Sequence, residues 1–182
     1  MHKRQEIRMA KLISSCTICP HTFCDFFLYF VDDRHFKIAK CARLFLPEMV
    51  QRNSGRILNV SSTASFMPGP LQAVYFATKA YVTYFSNALA EELHDTEVTV
   101  TNLMPGATET EFAKTSGMDK TNLFDNTVSA KSVAEDGYKG MLEGKLDVIS
   151  GLSTSQKIMM KMIPFTPKRV ILKQIRQMQE EK

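Results

Sequence analysis

The sequence contains no tryptophan, and its first glycine is Gly55. A glycine-rich turn presents backbone N–H groups to a phosphate because glycine alone lets the chain approach so closely, so no such turn lies upstream of Gly55. Long apolar runs are missing too. The stretch Phe23 to Val31 is interrupted by Asp25 and is far shorter than the ~20 residues that cross a bilayer as a helix. The start MHKRQEIRMAK has the charge of a signal-peptide leader, yet no uninterrupted apolar region and small-residue cleavage site follow it. A cytoplasmic setting is the expectation. The four cysteines, Cys16, Cys19, Cys24 and Cys41, fall in the first quarter of the chain, which excludes a disulfide framework holding the later core. Cys16 and Cys19, with His21 and Cys24 near, have the two-residue gap of a zinc-gripping pair, but a second pair at matching spacing is lacking. Reduced thiols are the favoured reading, and no metal is expected.

What is present fits a folded domain. The chain has 182 residues, 44% of them hydrophobic, enough for one domain with a core and a squeeze for two full ones, so one domain is expected. Apolar periodicity alternates between strand-like and helix-like runs, the pattern of an α/β protein. The net charge of +4 is concentrated at the end: residues 156–182 carry seven Lys or Arg against two Glu. Such a basic, partly apolar tail can rest on a membrane surface or a partner, or simply pack and be solvated, and the second reading is favoured. It lacks the interleaved aromatic residues of a single-strand binder, so no nucleic acid is expected.

Residues 1–31 show no period. From Asp32-Asp33 a helical repeat of Ile38, Cys41, Ala42, Phe45 and Met49 runs past Pro47 to a stop at Asn53-Ser54-Gly55. RILNVSS, residues 56–62, is a short apolar run closed by small polar residues, as a strand buried on both faces would be. A loop with Pro68, Gly69 and Pro70 leads to a helix from Leu71 or Val74 to Leu93, with Ala77, Tyr81, Tyr84, Phe85 and Ala88 as its inward stripe. VTVTNLM, residues 98–104, is β-branched and stops at Pro105-Gly106. Residues 107–128 are polar and long for a connection, a candidate lid. Ser132-Val133-Ala134-Glu135 has the form of a capping box opening a helix that Gly144 ends. LDVIS, residues 146–150, is a third strand. Strand and helix in alternation predict parallel crossovers.

Tyr75 and Lys79 are four residues apart and so share a helix face. Ser62 closes a strand aimed at the same sheet edge, and open α/β sheets bind ligands beyond the carboxyl ends of their strands. A phenol ordinarily titrates near ~10, and an ammonium beside it favours the phenolate. With Tyr75 as acid or base and the Ser62 hydroxyl on the reacting oxygen, the site suits a carbonyl–alcohol interconversion, with the hydride drawn from a cofactor.

NVSS, the proline–glycine loop, YFATKA and PGATET resemble the second half of a short-chain dehydrogenase/reductase, from about Leu44 to Gly151. A serine, twelve residues, a tyrosine, three residues and a lysine, followed later by PGxxxT, is far more specific than YxxxK alone. The resemblance implies a Rossmann-like three-layer fold and an NAD or NADP cofactor. It implies that Ser62 positions substrate, that Tyr75 is the acid/base, and that Lys79 assists Tyr75 and holds the nicotinamide ribose. Asn59, Val60 and Ser61 would run beside the cofactor, with Pro105, Gly106, Thr110 and, less centrally, Thr108 near its carboxamide. The helices around residues 33–52 and 75–93 would be the family's usual dimer-forming pair, hence a homo-oligomer.

The departures matter as well. The family's opening TGxxxGxG turn and its NNAG stretch do not occur in this sequence. Its fourth catalytic residue, an asparagine, would fall near Arg34 or His35, where there is none. The expected domain is therefore partial, with a shortened parallel sheet: residues 1–31 irregular, 32–155 the dehydrogenase portion, 156–182 a basic helical tail. Two functional readings follow. One is an NAD(P)-dependent oxidoreductase acting on a small carbonyl or alcohol, impaired by truncation; the other is a non-catalytic family fragment or interaction module.

Overall fold

The computed structural model describes residues 37–111 and 127–180. The irregular segment 1–31, the cluster of Cys16, Cys19, His21 and Cys24, positions Arg34 and His35, and most of the expected lid lie outside the described residues. The chain divides into two compact units, one of residues 1–55 with 92–98 and the other of residues 56–91 with 99–182.

In the first unit, helix α1 (Lys37–Gln51) continues through Pro47. Asn53, at φ 50°, ends it in the left-handed conformation that asparagine tolerates better than most residues. The stop is a complete Schellman motif, because Asn53 N–H donates to the Val50 carbonyl (3.1 Å) and Ser54 N–H to that of Met49 (3.0 Å). The Asn53 side chain also accepts from Glu97 N–H at 3.0 Å. Among the described residues of this unit, Leu46, Val50, Leu93 and Val98 are the buried apolar ones.

Among the described residues the remaining elements are β1 (Gly55–Val60), a short 3-10 turn (Thr63–Phe66), α2 (Ala73–Glu92), β2 (Val98–Pro105), β3 (Thr108–Glu109), β4 (Val128–Ser129), α3 (Ala130–Leu142), β5 (Asp147–Ser150), α4 (Thr154–Met162), a second 3-10 turn (Ile163–Phe165) and α5 (Lys168–Gln179). The main sheet has the order β1-β2-β5. Strands β2 and β5 pair in parallel, with Asn102 opposite Asp147 and Leu103 opposite Val148. A second small pair joins β3 to β4, also in parallel.

Alternation along β2 gives the second unit its layers. Asn102 Nδ2 donates to Thr83 Oγ1 on α2 (3.3 Å), whereas a Cβ placed on Gly137 of α3 would stand 2.6 Å from Leu103 Cδ2. Successive side chains of a strand point to opposite faces, so α2 covers one face and α3 the other. This is the three-layer α/β arrangement expected from the sequence. On the α3 face, Gly137 and Gly140 permit the close approach; a Cβ on Gly140 would collide with Val148. Gly144, at φ 66°, ends α3 with a second Schellman motif, Lys145 N–H to the Gly140 carbonyl (2.9 Å) and Gly144 N–H to that of Met141 (3.2 Å).

Two local expectations are corrected. Helix α3 opens three residues earlier than the Ser132 capping box suggested. Its cap is Ser129, whose hydroxyl accepts from Ser132 N–H. Pairing of Val128-Ser129 with Thr108-Glu109 leaves Ser129 extended at a strand end, so the helix starts at once. The inward stripe of α2 is also different. The residues buried are Phe76, Val82, Thr83, Ser86 and Leu89, while Ala77 and Ala88 are exposed and Tyr84 is 72% exposed. The hydroxyls of Thr83 and Ser86 are among the buried groups because Asn59, Ser61 and Asn102 on the strand side offer polar partners.

Candidate functional site

Three strand ends build one edge of the second unit: Ser61-Ser62 after β1, Pro105-Gly106 closing β2, and Ser150-Gly151 closing β5. They are tied together by main-chain bonds, Ser61 N–H to the Leu103 carbonyl (2.8 Å) and Gly106 N–H to that of Ser150 (2.9 Å). Asp136 of α3 accepts from the Ser150 hydroxyl at 2.6 Å, fixing the third strand end to its helix.

Lys79 of α2 lies at this edge. Its ammonium lies 5.9 Å from the centre of the Tyr75 ring, as the four-residue spacing requires, and it donates to the Val60 carbonyl at 3.3 Å. Burial disfavours its charged form and lowers its pKa from 10.5. An ammonium has three N–H donors, so the bond to Val60 leaves capacity for a ligand. Tyr75 itself is half-buried and meets Phe76 edge-on, with ring centres 5.8 Å apart. The next tyrosine, Tyr81, has its phenol pKa raised by burial, and it stacks on Phe85 at 5.9 Å.

Ser62 caps the 3-10 turn that follows β1, its hydroxyl accepting from Ala64 N–H at 3.1 Å. It also donates to the Pro105 carbonyl at 3.4 Å, well beyond the ~2.7–2.8 Å usual between hydroxyl and carbonyl oxygens. That bond is weak enough to be exchanged for a substrate oxygen. Thr63 Oγ1 donates to the same carbonyl at 3.2 Å, so Pro105 keeps a partner if Ser62 turns away. Thr63 is a neighbour of the site that sequence reasoning missed; its place directly after NVSS was the available signal.

Other expected site residues fall differently. Asn59 is buried, its amide donating to Ser86 Oγ at 2.9 Å. Ser61 is 2% exposed, and its hydroxyl donates to the Lys79 carbonyl at 2.7 Å and meets Thr83 Oγ1 at 2.7 Å. Both side chains are committed to holding α2 on the sheet. Val60, 53% exposed, presents its carbonyl to Lys79. Gly106 fits where a Cβ would stand 2.9 Å from Leu152 Cδ2, and Thr108 Oγ1 donates back to the Gly106 carbonyl at 3.0 Å. Thr110 is exposed just beyond β3. Among the described residues no group of three His, Cys, Asp or Glu side chains could hold a metal ion, and Cys41 is a free, exposed thiol.

An open groove of about 570 Å³ is lined in part by Phe66, Met67, Ala77, Tyr84 and Leu172. At 100° per residue, Ala77 and Tyr84 sit well over 90° round α2 from the Tyr75–Lys79 face. The groove therefore belongs to another flank of the helix than Tyr75 and Lys79.

Comparison with known proteins finds similarity over part of the chain. Residues 35–121 match the family model described as short chain dehydrogenase. The mouse very-long-chain 3-oxoacyl-CoA reductase is 44% identical over 77 residues, 42% of this chain and 25% of that protein. The NADP-dependent 3-hydroxy acid dehydrogenase YdfG of Escherichia coli strain K12 is 43% identical over 76 residues, 42% of this chain and 31% of that one. The chain thus spans about a quarter to a third of the length of these relatives. Among solved structures, a short-chain dehydrogenase from Sphingobium yanoikuyae in complex with NADPH superposes with a TM-score of 0.55 at 28% identity, over 62% of this chain and 43% of that one. A Burkholderia cenocepacia J2315 short-chain dehydrogenase in complex with NADP gives 0.61 at 20% identity, over 77% and 56%, a likeness of fold.

Proposed function

From the match of residues 35–121 to the short-chain dehydrogenases, we propose that this chain is an oxidoreductase-type protein interconverting a carbonyl and an alcohol with NAD(P)(H). The observation that carries the reading is the ammonium of Lys79 held 5.9 Å from the Tyr75 ring at the strand end that bears Ser62. The relatives' names support a substrate class: one reduces a 3-oxoacyl thioester and the other oxidises a 3-hydroxy acid. Both work at the third carbon of an acyl chain, so a 3-oxoacyl or 3-hydroxyacyl compound is the proposed substrate.

Each residue has a defined task. Tyr75 gives its phenol proton to the reacting oxygen during reduction and takes it back during oxidation, a positioned transfer typically contributing ~10²–10⁴-fold in rate. The Ser62 hydroxyl exchanges its long bond to Pro105 for one to that oxygen. Lys79 supplies positive charge beside the phenol, and its remaining N–H donors suit the hydroxyls of a nicotinamide ribose. The chemistry of this donor set fits the nicotinamide end of NAD(P), with Pro105, Gly106, Thr108 and Thr110 following it. When bound, that cofactor supplies or accepts the hydride.

The test is reduction of acetoacetyl-CoA by the purified chain with NADPH and with NADH, followed by absorbance, beside Tyr75→Phe. A rate in the parent that falls at least a hundredfold in Tyr75→Phe, with circular dichroism unchanged, is the expected result. A folded parent that neither turns over nor binds either nucleotide would establish the non-catalytic module instead.

A further inference from the structure

We propose that the C-terminal helices form a docking surface for an anionic phospholipid bilayer. Helix α4 is a defined element: Ser153 caps it in a reciprocal box with Gln156, the Gln156 side chain accepting from Ser153 N–H at 2.9 Å. Its residues Ile158, Met159 and Met162 stand at positions i, i+1 and i+4, on one side of the helix. They are 59%, 58% and 54% exposed, and Phe165 in the next turn is 80% exposed. Large apolar side chains so gathered and left in water mark an interaction surface. Helix α5, by contrast, is seated through Ile171, which is buried.

The charge on these helices selects the partner. Residues 154–180 carry six Lys or Arg and one acid, Glu180, and that acid is already paired with Arg176 at 3.3 Å. Lys157 and Lys161 lie beside the apolar side of α4, and Lys168 and Arg169 follow Phe165 after Thr166 and Pro167. A cationic rim around exposed Ile, Met and Phe side chains is the pattern of a segment lying in the headgroup region of an anionic membrane. A helix-binding protein groove reads anchors at i, i+3 or i+4, and i+7. Helix α4, with nine residues, ends too soon after Ile158 to present that spacing and carries its last exposed apolar group, Phe165, on the turn beyond its end, an arrangement that a fluid interface accepts. Vesicle binding requires no nucleotide, so this surface acts independently of any oxidoreductase activity.

Flotation of the full chain with phosphatidylcholine vesicles, with and without phosphatidylserine, tests it. Binding is expected only with phosphatidylserine and should weaken as salt screens the charges. Lys157→Gln and Lys161→Gln should each reduce partitioning about fivefold, and Phe165→Ser about tenfold. Lys161 and Phe165 are exposed and Lys157 is half-buried, and Lys157→Gln keeps the inner part of its aliphatic stem, so thermal midpoints should not move. No binding to phosphatidylserine vesicles, equal binding to neutral ones, or binding untouched by all three substitutions would overturn the proposal. Retention by an acidic protein together with absence from vesicles would assign the surface to a protein partner and likewise overturn it.

Discussion

Removing the Ser61 hydroxyl tests how helix α2 is held. In Ser61→Ala two short bonds disappear, the donation to the Lys79 carbonyl and the contact with Thr83 Oγ1, both 2.7 Å. Ser61 is 2% exposed, so water does not replace them. Each such bond contributes about 1 kcal/mol net, and the Thr83 hydroxyl left without its acceptor adds a desolvation cost of similar size, for a total of about 2–3 kcal/mol. In a chain of this size that lowers the thermal midpoint by roughly 4–12 °C. Thr83→Val, which also breaks the bond from Asn102, should cost about 2 kcal/mol. Because the two substitutions share one bond, the double variant should be less destabilised than their sum by about 1 kcal/mol. Urea unfolding of the four proteins, with unchanged dependence on denaturant, measures that coupling. Additivity within about 0.5 kcal/mol would show that the hydroxyls do not act together and would refute the reasoning.

Gly137→Ala should destabilise by about 1–3 kcal/mol, because its Cβ would stand 2.6 Å from Leu103 Cδ2 in a packed layer; urea unfolding measures it. Gly144→Ala meets no close atom, its nearest neighbour being Thr99 Cγ2 at 3.6 Å, but it sits at φ 66°, so about 1 kcal/mol of backbone strain is the expected loss. For Lys79→Met the pH dependence is diagnostic. The folded pKa of Lys79 is lowered by burial from 10.5, so the unfolded chain binds more protons between the two values and parent stability rises with pH through that window. Burial of the charge opposes folding below the lowered pKa and ceases to do so above 10.5. The variant should lack this rise while losing turnover; an equal slope in both proteins would show that Lys79 is not the titrating group.

The strands were legible in the sequence because each is a short apolar run stopped by small polar residues or by Pro105-Gly106. Observed boundaries differ from the expected ones by one or two residues, as they do for α2. The two-residue strands β3 and β4 were not legible, since so short a pairing has no period, and they moved the start of α3 to Ser129. At the site, the positions of Tyr75 and Lys79 followed from spacing along one helix. The engagement of Asn59 with Ser86 and of Ser61 with Thr83 did not, because those partners are 27 and 22 residues apart and only the sheet brings them together. A signal existed nonetheless. Among the described residues β1 is an edge strand with Arg56 and Val60 exposed, not the strand buried on both faces that its apolar run suggested. But Asn59 and Ser61, two residues apart in extended chain, are both buried and share a face, where polar side chains need hydrogen-bonding partners opposite.

That polar face bears on how Tyr75 and Lys79 are placed. Apolar packing alone would let a helix shift along a sheet with modest loss, because dispersion contacts have little directionality. Hydrogen bonds lose strength steeply with angle and distance. Donors on α2's side of the sheet run in one consistent sense: Asn102 to Thr83, Thr83 to Ser61, and Ser61 to the carbonyl of Lys79. Asn102 is anchored in turn by its bond to Asp147 at 3.0 Å. This relay therefore links β5, β2, α2 and the end of β1, and it terminates on the main chain of Lys79. A slide of α2 by even one residue would break every bond that α2 makes in it. The register of Lys79 and Tyr75 against the strand ends is thus set by side chains beneath the site, on the buried side of the same helix.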